Sequence, residues 1–227
     1  MVQNMNVKNV FFFYSILLVT FIILFFGVSG PLILDDFHNL EPLGYFGGVV
    51  NWESAQRFIF GNASGPLGRP VAIATFLLND FTWPPSDLAS FKITNVAFHL
   101  CTGSLIFVLV NRLLQQEFNV SRIKSEKFAL VIMAFWLLHP IHASTVFYVI
   151  QRMAILSALF TAATFIFYIQ FRLYFKKQQR LYSYISLACG VLFFLVGIFS
   201  KENALLVLPF IIICELFLFD SLLSAKH

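Results

Sequence analysis

Two adjacent carboxylates, Asp35-Asp36, follow the apolar stretch Leu32-Ile33-Leu34. Side by side they repel. One can then hold a raised pKa and act as a general base, or both can hold a divalent cation. A solvated pair that stops the preceding helix from sliding into lipid is the plainer alternative. Gly68-Arg69-Pro70 places a guanidinium between two residues that punctuate the backbone. Its planar fork suits phosphate, and an interfacial arginine reaching for water is the alternative. His139-Pro140-Ile141-His142 sets two imidazoles three positions apart. On a helix they could share a metal, but no third ligand is evident in the sequence, and a structural role is the simpler reading. Gln151-Arg152 opens an apolar run, where a cation opposes the helix macrodipole and calls for an anionic partner, a carboxylate or a ligand phosphate. Ser200-Lys201-Glu202-Asn203 is a polar break between two apolar runs. Ionisable groups at membrane depth are functional candidates, with a mutually neutralising Lys-Glu turn as the alternative. Glu215 lies inside an apolar run and needs a partner or a proton.

The elements that carry these residues are set by composition. The chain has 227 residues, 59% hydrophobic and 11% charged, with 30 Phe and a mean hydropathy of +0.83. A soluble domain carries about 25% charge, so lipid must be the main solvent here. The net charge of +4 does not indicate nucleic acid, because the basic residues fall in short clusters between apolar runs. Cys101, Cys189 and Cys214 lie inside apolar runs without metal-ligand spacing.

A spanning helix needs about 20 mostly apolar residues. Candidates lie near 9–28, 91–114, 128–149, 153–174, 182–199 and 204–223. The reading is an all-α polytopic bundle of about six spans, forming one integral membrane domain over 1–227. The first run is too long for a signal peptide core and no small-residue cleavage site follows, so it reads as a retained anchor. With the N-terminus cytoplasmic, ten Lys and Arg fall inside and five outside, the favoured orientation. A bacterial inner membrane is the expected location. The segment 29–90 is then a long outer loop. It holds Trp52, Phe58, Phe60 and Trp83, suited to the interface, and Pro70–Asp80 reads as a short helix lying at the surface. All the polar segments above Glu215 come to the outer side. Phe128–Leu138 is only about 16 Å of helix, so either the helix continues through Pro140 or the His139–His142 break lies sunk in the outer half of the bilayer, where protein or a water-filled cavity must cover it.

The ordered set Leu34-Asp35-Asp36-Phe37, Gly68-Arg69-Pro70-Val71, Asn95-Val96-Ala97-Phe98-His99-Leu100, Leu138-His139-Pro140-Ile141-His142, Val149-Ile150-Gln151-Arg152-Met153 and Ser200-Lys201-Glu202-Asn203 before Leu205 covers about 30–215. It resembles the N-terminal membrane part of the GT-C glycosyltransferase superfamily. The nearest look is to the transmembrane-and-TPR proteins, which include protein O-mannosyltransferases, and their bacterial relatives. The resemblance implies transfer of a sugar from a polyprenyl-phosphate donor to a protein or glycan acceptor on the outer face. Asp35 or Asp36 would be the catalytic acid residue of the first outer loop, as base or metal ligand. Arg69, Arg152 and Lys201 would be candidates for the donor phosphate, with His139, His142, Gln151 and Glu202 completing the substrate groove. Members of that family usually have more spans, and TPR repeats follow their membrane part. Neither feature is present in this sequence. The alternative is a non-enzymatic membrane partner that handles a lipid-linked sugar.

Overall fold

The computed structural model describes residues 5–62 and 64–219, and among these every regular element is a helix. Lys226 and the end of the sixth apolar run lie outside the described residues. Four helices are long and apolar enough to cross a membrane: α1 (Val7–Phe25), α5 (Leu88–Gln116), α8 (Arg152–Lys176, extended at its start by a turn from Val149) and α9 (Arg180–Ser200). Between them lie α2 (Asp35–Leu40), α3 (Trp52–Phe60), α4 (Pro70–Phe76), α6 (Arg122–Leu137) and α7 (His142–Phe147), and α10 (Val207–Phe217) follows.

The third apolar run is therefore two helices. The 16 residues of α6 span about 24 Å, short of a hydrocarbon core of about 30 Å. A turn through Pro140 separates it from α7, because proline cannot continue the hydrogen-bond ladder. The sixth run likewise begins as a 3-10 turn, Glu202–Leu206, before the 11 residues of α10.

Helix α5 runs antiparallel to α6, with Asn111 beside Ser125 and Gly103 beside Leu137, and parallel to α8, with Asn95 beside Arg152 and Arg112 beside Gln170, so the chain's polar segments sort to two ends. Local caps fix where helices begin. The Asp87 carboxylate accepts from the Ala89 N–H at 2.9 Å at the start of α5. In α3 the Asn51 side chain and Ser54 cap each other's backbone N–H groups at 2.8 and 3.0 Å. The α5–α6 approach is set by Gly103, where a Cβ would lie 2.5 Å from the Leu137 side chain.

At the end near the N-terminus, Asn9 of α1 donates to Glu126 of α6 at 2.7 Å, and Arg112 of α5 donates to Gln170 of α8 at 2.6 Å. Glu215 meets Arg172 and the Tyr168 hydroxyl there, which supplies the partner its place in an apolar run requires.

At the opposite end, residues 29–90 pack as a cap whose Leu40, Leu43, Phe58, Ile73 and Phe76 share one core with Phe91 of α5 and with Val149 and Met153 at the head of α8. This corrects the expectation for Pro70–Asp80. Helix α4 does not lie at the surface, since Ala72, Ile73 and Phe76 are fully buried. Of the expected interfacial aromatics, Trp52 and Phe60 are exposed and Phe58 is buried.

Candidate functional site

The cap covers the ends of α8 and α9 and leaves a polar pocket of about 240 Å³. Asp35, Arg69, Gln151 and Lys201 line it, together with His38 and Asn39. Four segments far apart in sequence thus converge on one cavity.

The two aspartates have separate positions. Asp35 is exposed at the start of α2 and lines the pocket. Its backbone N–H donates to the Tyr148 hydroxyl at 2.9 Å. Asp36 is fully buried. Its Oδ2 accepts from the Ile33 N–H at 3.0 Å and its Oδ1 from the Ile150 N–H at 2.8 Å. Burial raises the Asp36 carboxyl above the ordinary range, opposed by those backbone N–H groups and by the charge of Lys92. The raised member of the pair is therefore the buried one, and desolvation rather than its neighbour is the leading cause. Asp36 is sealed from the pocket that Asp35 lines, so the two carboxylates do not face one cation there together. Among the described residues no group of three or more His, Cys, Asp or Glu side chains is placed to hold a metal.

Lys92 is buried at the start of α5 and donates to the carbonyls of Gly30 and Pro31 at 2.6 and 3.1 Å. It fixes the exit of the chain from α1. Leu34 (φ 43) and Arg69 (φ 50) both have left-handed φ, rare for residues with a Cβ. Arg69 lines the pocket, and Leu34 directly precedes Asp35, which also lines it.

Arg69 is part-buried and paired with Glu202. Its Nε and Nη2 donate to Glu202 Oε2 at 3.1 and 2.8 Å, and its Nη1 faces the Met153 sulfur at 3.5 Å. Gly65 makes room for this guanidinium, since a Cβ there would lie 2.7 Å from Nη2, and its φ of +73 also favours glycine. Partial burial raises the Glu202 carboxyl, but the hydrogen bond and charge of Arg69 outweigh it and hold the group below its ordinary value. Lys201 donates to Gln151 Oε1 at 3.4 Å. Burial and the neighbouring Arg69 charge push its ammonium below the ordinary lysine range, with Glu202 opposing.

Arg152 stands apart. It is fully buried and does not line the pocket. Nε donates to Asn95 at 2.7 Å, Nη1 to the Thr75 carbonyl at 2.8 Å, and Nη2 to Asn79 and the Phe91 carbonyl, both at 2.8 Å. The guanidinium also lies over the rings of Phe76 and Phe91, at 4.6 and 5.7 Å. The anionic partner expected from the helix-dipole argument is replaced by four neutral oxygens and two ring faces. Arg152 ties α4 and α5 to the head of α8, and a ligand phosphate would have to displace those acceptors.

His139 and His142 form another group at the same end. His142 packs on Trp136 and on His99 of α5, with ring centroids 4.5 and 5.2 Å away. His99 Nε2 meets the Leu137 carbonyl at 3.1 Å, which covers backbone freed where α6 stops. His139 is exposed, and its Nδ1 accepts from the Ile141 N–H at 3.2 Å. Neither residue lines the Asp35 pocket.

Three contributors were not singled out from the sequence. Tyr148 and Lys92 hold the Asp35–Asp36 segment. Asn39, 6% exposed, lines the pocket, and its Oδ1 is buried without a hydrogen-bond partner. The i to i+4 spacing from Asp35, whose carbonyl accepts from Asn39 Nδ2 at 2.8 Å, is the signal that could have found it.

Comparison with known proteins gives no matching family model, no matching curated protein and no matching solved structure.

Proposed function

We propose that this chain is a glycosyltransferase, or a module of one, of GT-C type. It transfers a sugar from a polyprenyl-phosphate donor to a protein or glycan hydroxyl on the outer face of the membrane. The observation that carries the reading is the exposed Asp35 carboxylate in a pocket shared with Lys201, Gln151 and Arg69. In this reading α6 and α10 also lie within the bilayer, giving six segments with the N-terminus inside, in the inner membrane of a bacterium.

The chemistry needs a base and a place for developing phosphate charge. The acceptor oxygen bonds to the anomeric carbon as the bond from that carbon to the donor phosphate oxygen breaks. The acceptor proton passes to Asp35, and polyprenyl phosphate leaves with the bonding electron pair. Lys201 is the cation best placed to meet that charge, because the Arg69 fork is largely committed to Glu202. Asp36 acts by holding the Asp35 segment in place.

The test is transfer of a radiolabelled sugar from its polyprenyl-phosphate donor in membranes containing the protein. A positioned base contributes about 100-fold or more. Asp35→Asn is expected to lose about that much with folding intact. Full transfer by Asp35→Asn would sink the catalytic assignment. The commitment of Arg69 to Glu202 favours one second reading, in which the chain holds a lipid-linked sugar without breaking its bond. Purified protein that binds the donor but releases no free polyprenyl phosphate would select that reading.

A further inference from the structure

The end of the bundle opposite the Asp35 pocket carries two cavities that the transfer reading does not use. The first, about 230 Å³, lies between the last turn of α5 and the first turn of α6. It is lined by Arg112, Arg122, Asn111, Gln115, Gln116 and Glu126, with Met5 at its edge. The second, about 380 Å³, lies between α1 and α6 and is apolar. Phe12, Ile16, Leu130, Val131 and Ala134 form it, with Lys127 at its rim. The Asn9–Glu126 hydrogen bond divides the two, since Asn9 lines the apolar cavity and Glu126 the polar one.

We propose that these cavities together bind one anionic phospholipid, its phosphate headgroup between Arg112 and Arg122 and an acyl chain along the α1–α6 groove.

Charge supports this occupant. Arg122 gives its Nε to Glu126 Oε1 at 2.9 Å and is 48% exposed, with its terminal nitrogens beyond that contact. Arg112 gives Nη1 to Gln170, which leaves the rest of its fork for another acceptor. Glu126 is the one carboxylate in the lining, and it does not repel an anion strongly. It is 2% exposed, and its two oxygens accept from Arg122 and Asn9. Exposed Lys8, Lys124 and Lys127 add positive charge to the same helix ends.

Depth supports a lipid over a free anion. The guanidiniums sit at the terminus of a membrane-long helix, the level of lipid phosphates, and the apolar groove begins one turn deeper along α6. Basic pockets between spanning helices bind anionic headgroups in this way, and a ligand with one charged end and an apolar tail fills both cavities at once.

Native mass spectrometry of the purified full chain tests it, with phosphatidylglycerol, phosphatidylcholine and inorganic phosphate as probes. Each basic group near a headgroup is worth about fivefold in affinity, so the two arginines together predict about 25-fold preference for phosphatidylglycerol over phosphatidylcholine. Arg122→Gln is expected to reduce that preference about fivefold, and Arg122→Lys to keep most of it. Val131→Trp, a change on a lipid-facing position, fills the groove and is expected to weaken retention of phosphatidylglycerol while leaving any phosphate adduct unchanged. Arg122 is exposed at the first residue of α6, so its variants test the idea even where Arg112→Gln fails to fold. Equal retention of the two lipids overturns the proposal, as does a preference that Arg122→Gln leaves intact. Binding of inorganic phosphate without a lipid preference also overturns it, and marks a free-anion site instead.

Discussion

Arg69 and Glu202 are 133 positions apart and meet in a two-pronged contact, with Nε and Nη2 both donating to Oε2. The pair joins the head of α4 to the turn after α9, and so closes the cap over the candidate pocket. Side-chain exposures of 21% and 23% place it between a surface bridge and a buried one. Glu202→Gln is expected to lower stability by about 1–2 kcal/mol. The pH sign follows from the lowered Glu202 carboxyl. Its contribution is full above the ordinary glutamate value of 4.5 and is lost as pH falls through the folded value. Thermal unfolding in detergent from pH 7 down to 3 should show the wild type converging on Glu202→Gln.

Arg152→Ala is expected to cost about 3–5 kcal/mol, because it leaves buried acceptors on α4 and α5 without a donor. Arg152→Lys recovers only part, since an ammonium cannot reach four acceptors in a planar fork. The readout is folded yield and unfolding temperature. A folded, stable Arg152→Ala protein that loses only substrate affinity would place the residue in ligand binding instead.

The two adjacent aspartates should respond in opposite ways. Asp35→Asn leaves stability within about 0.5 kcal/mol, as an exposed substitution away from packing does. Asp36→Ala strands the part-buried N–H of Ile33 and the buried N–H of Ile150 and is expected to cost about 2–4 kcal/mol. The Asp36 carboxyl is raised, so the stability linked to its proton is present below its unfolded value of 3.8 and is lost as pH rises through the folded value. Wild type should therefore lose stability relative to Asp36→Asn on moving from acid to neutral pH, in unfolding temperatures measured side by side.

Asp80 organises the loop that leads into α5. Its carboxylate accepts from the Ser86 N–H and hydroxyl at 2.6 and 2.8 Å, and from the Phe81 N–H at 2.7 Å. Burial raises the group, but these hydrogen bonds outweigh burial and hold it at about 2. The stability it contributes is complete above about pH 4 and falls away between there and about pH 2. Because the site is close to solvent, the expected cost of Asp80→Asn is about 1 kcal/mol. Hydrogen exchange at Phe81, Thr82 and Ser86 should quicken in the variant while exchange in the α5 interior stays unchanged.

Much of this was legible in the chain alone. Long apolar runs specified α1, α5, α8 and α9, because a span must be both long and apolar and both properties are local. Turns at Pro140 and after Ser200 were legible for the same reason. The lengths of α6 and α10 were not, since apolar composition continues past the point where each helix stops. The candidate residues were also visible as polar breaks in an apolar text.

Their separate positions were not visible. Asp35 and Asp36 are chemically identical neighbours, yet one lines a pocket and the other is sealed under Ile150. Arg69 and Arg152 read alike as cations beside apolar helices. One meets a carboxylate at the pocket wall, while the other is wrapped by oxygens from α4 and α5. Residue type and hydropathy are properties of the chain and set which groups exist and near which end of the bilayer they lie. Which oxygen faces a cavity and which accepts a backbone N–H depends on contacts between segments more than 100 positions apart, and those arise only when the cap packs onto α8 and α9.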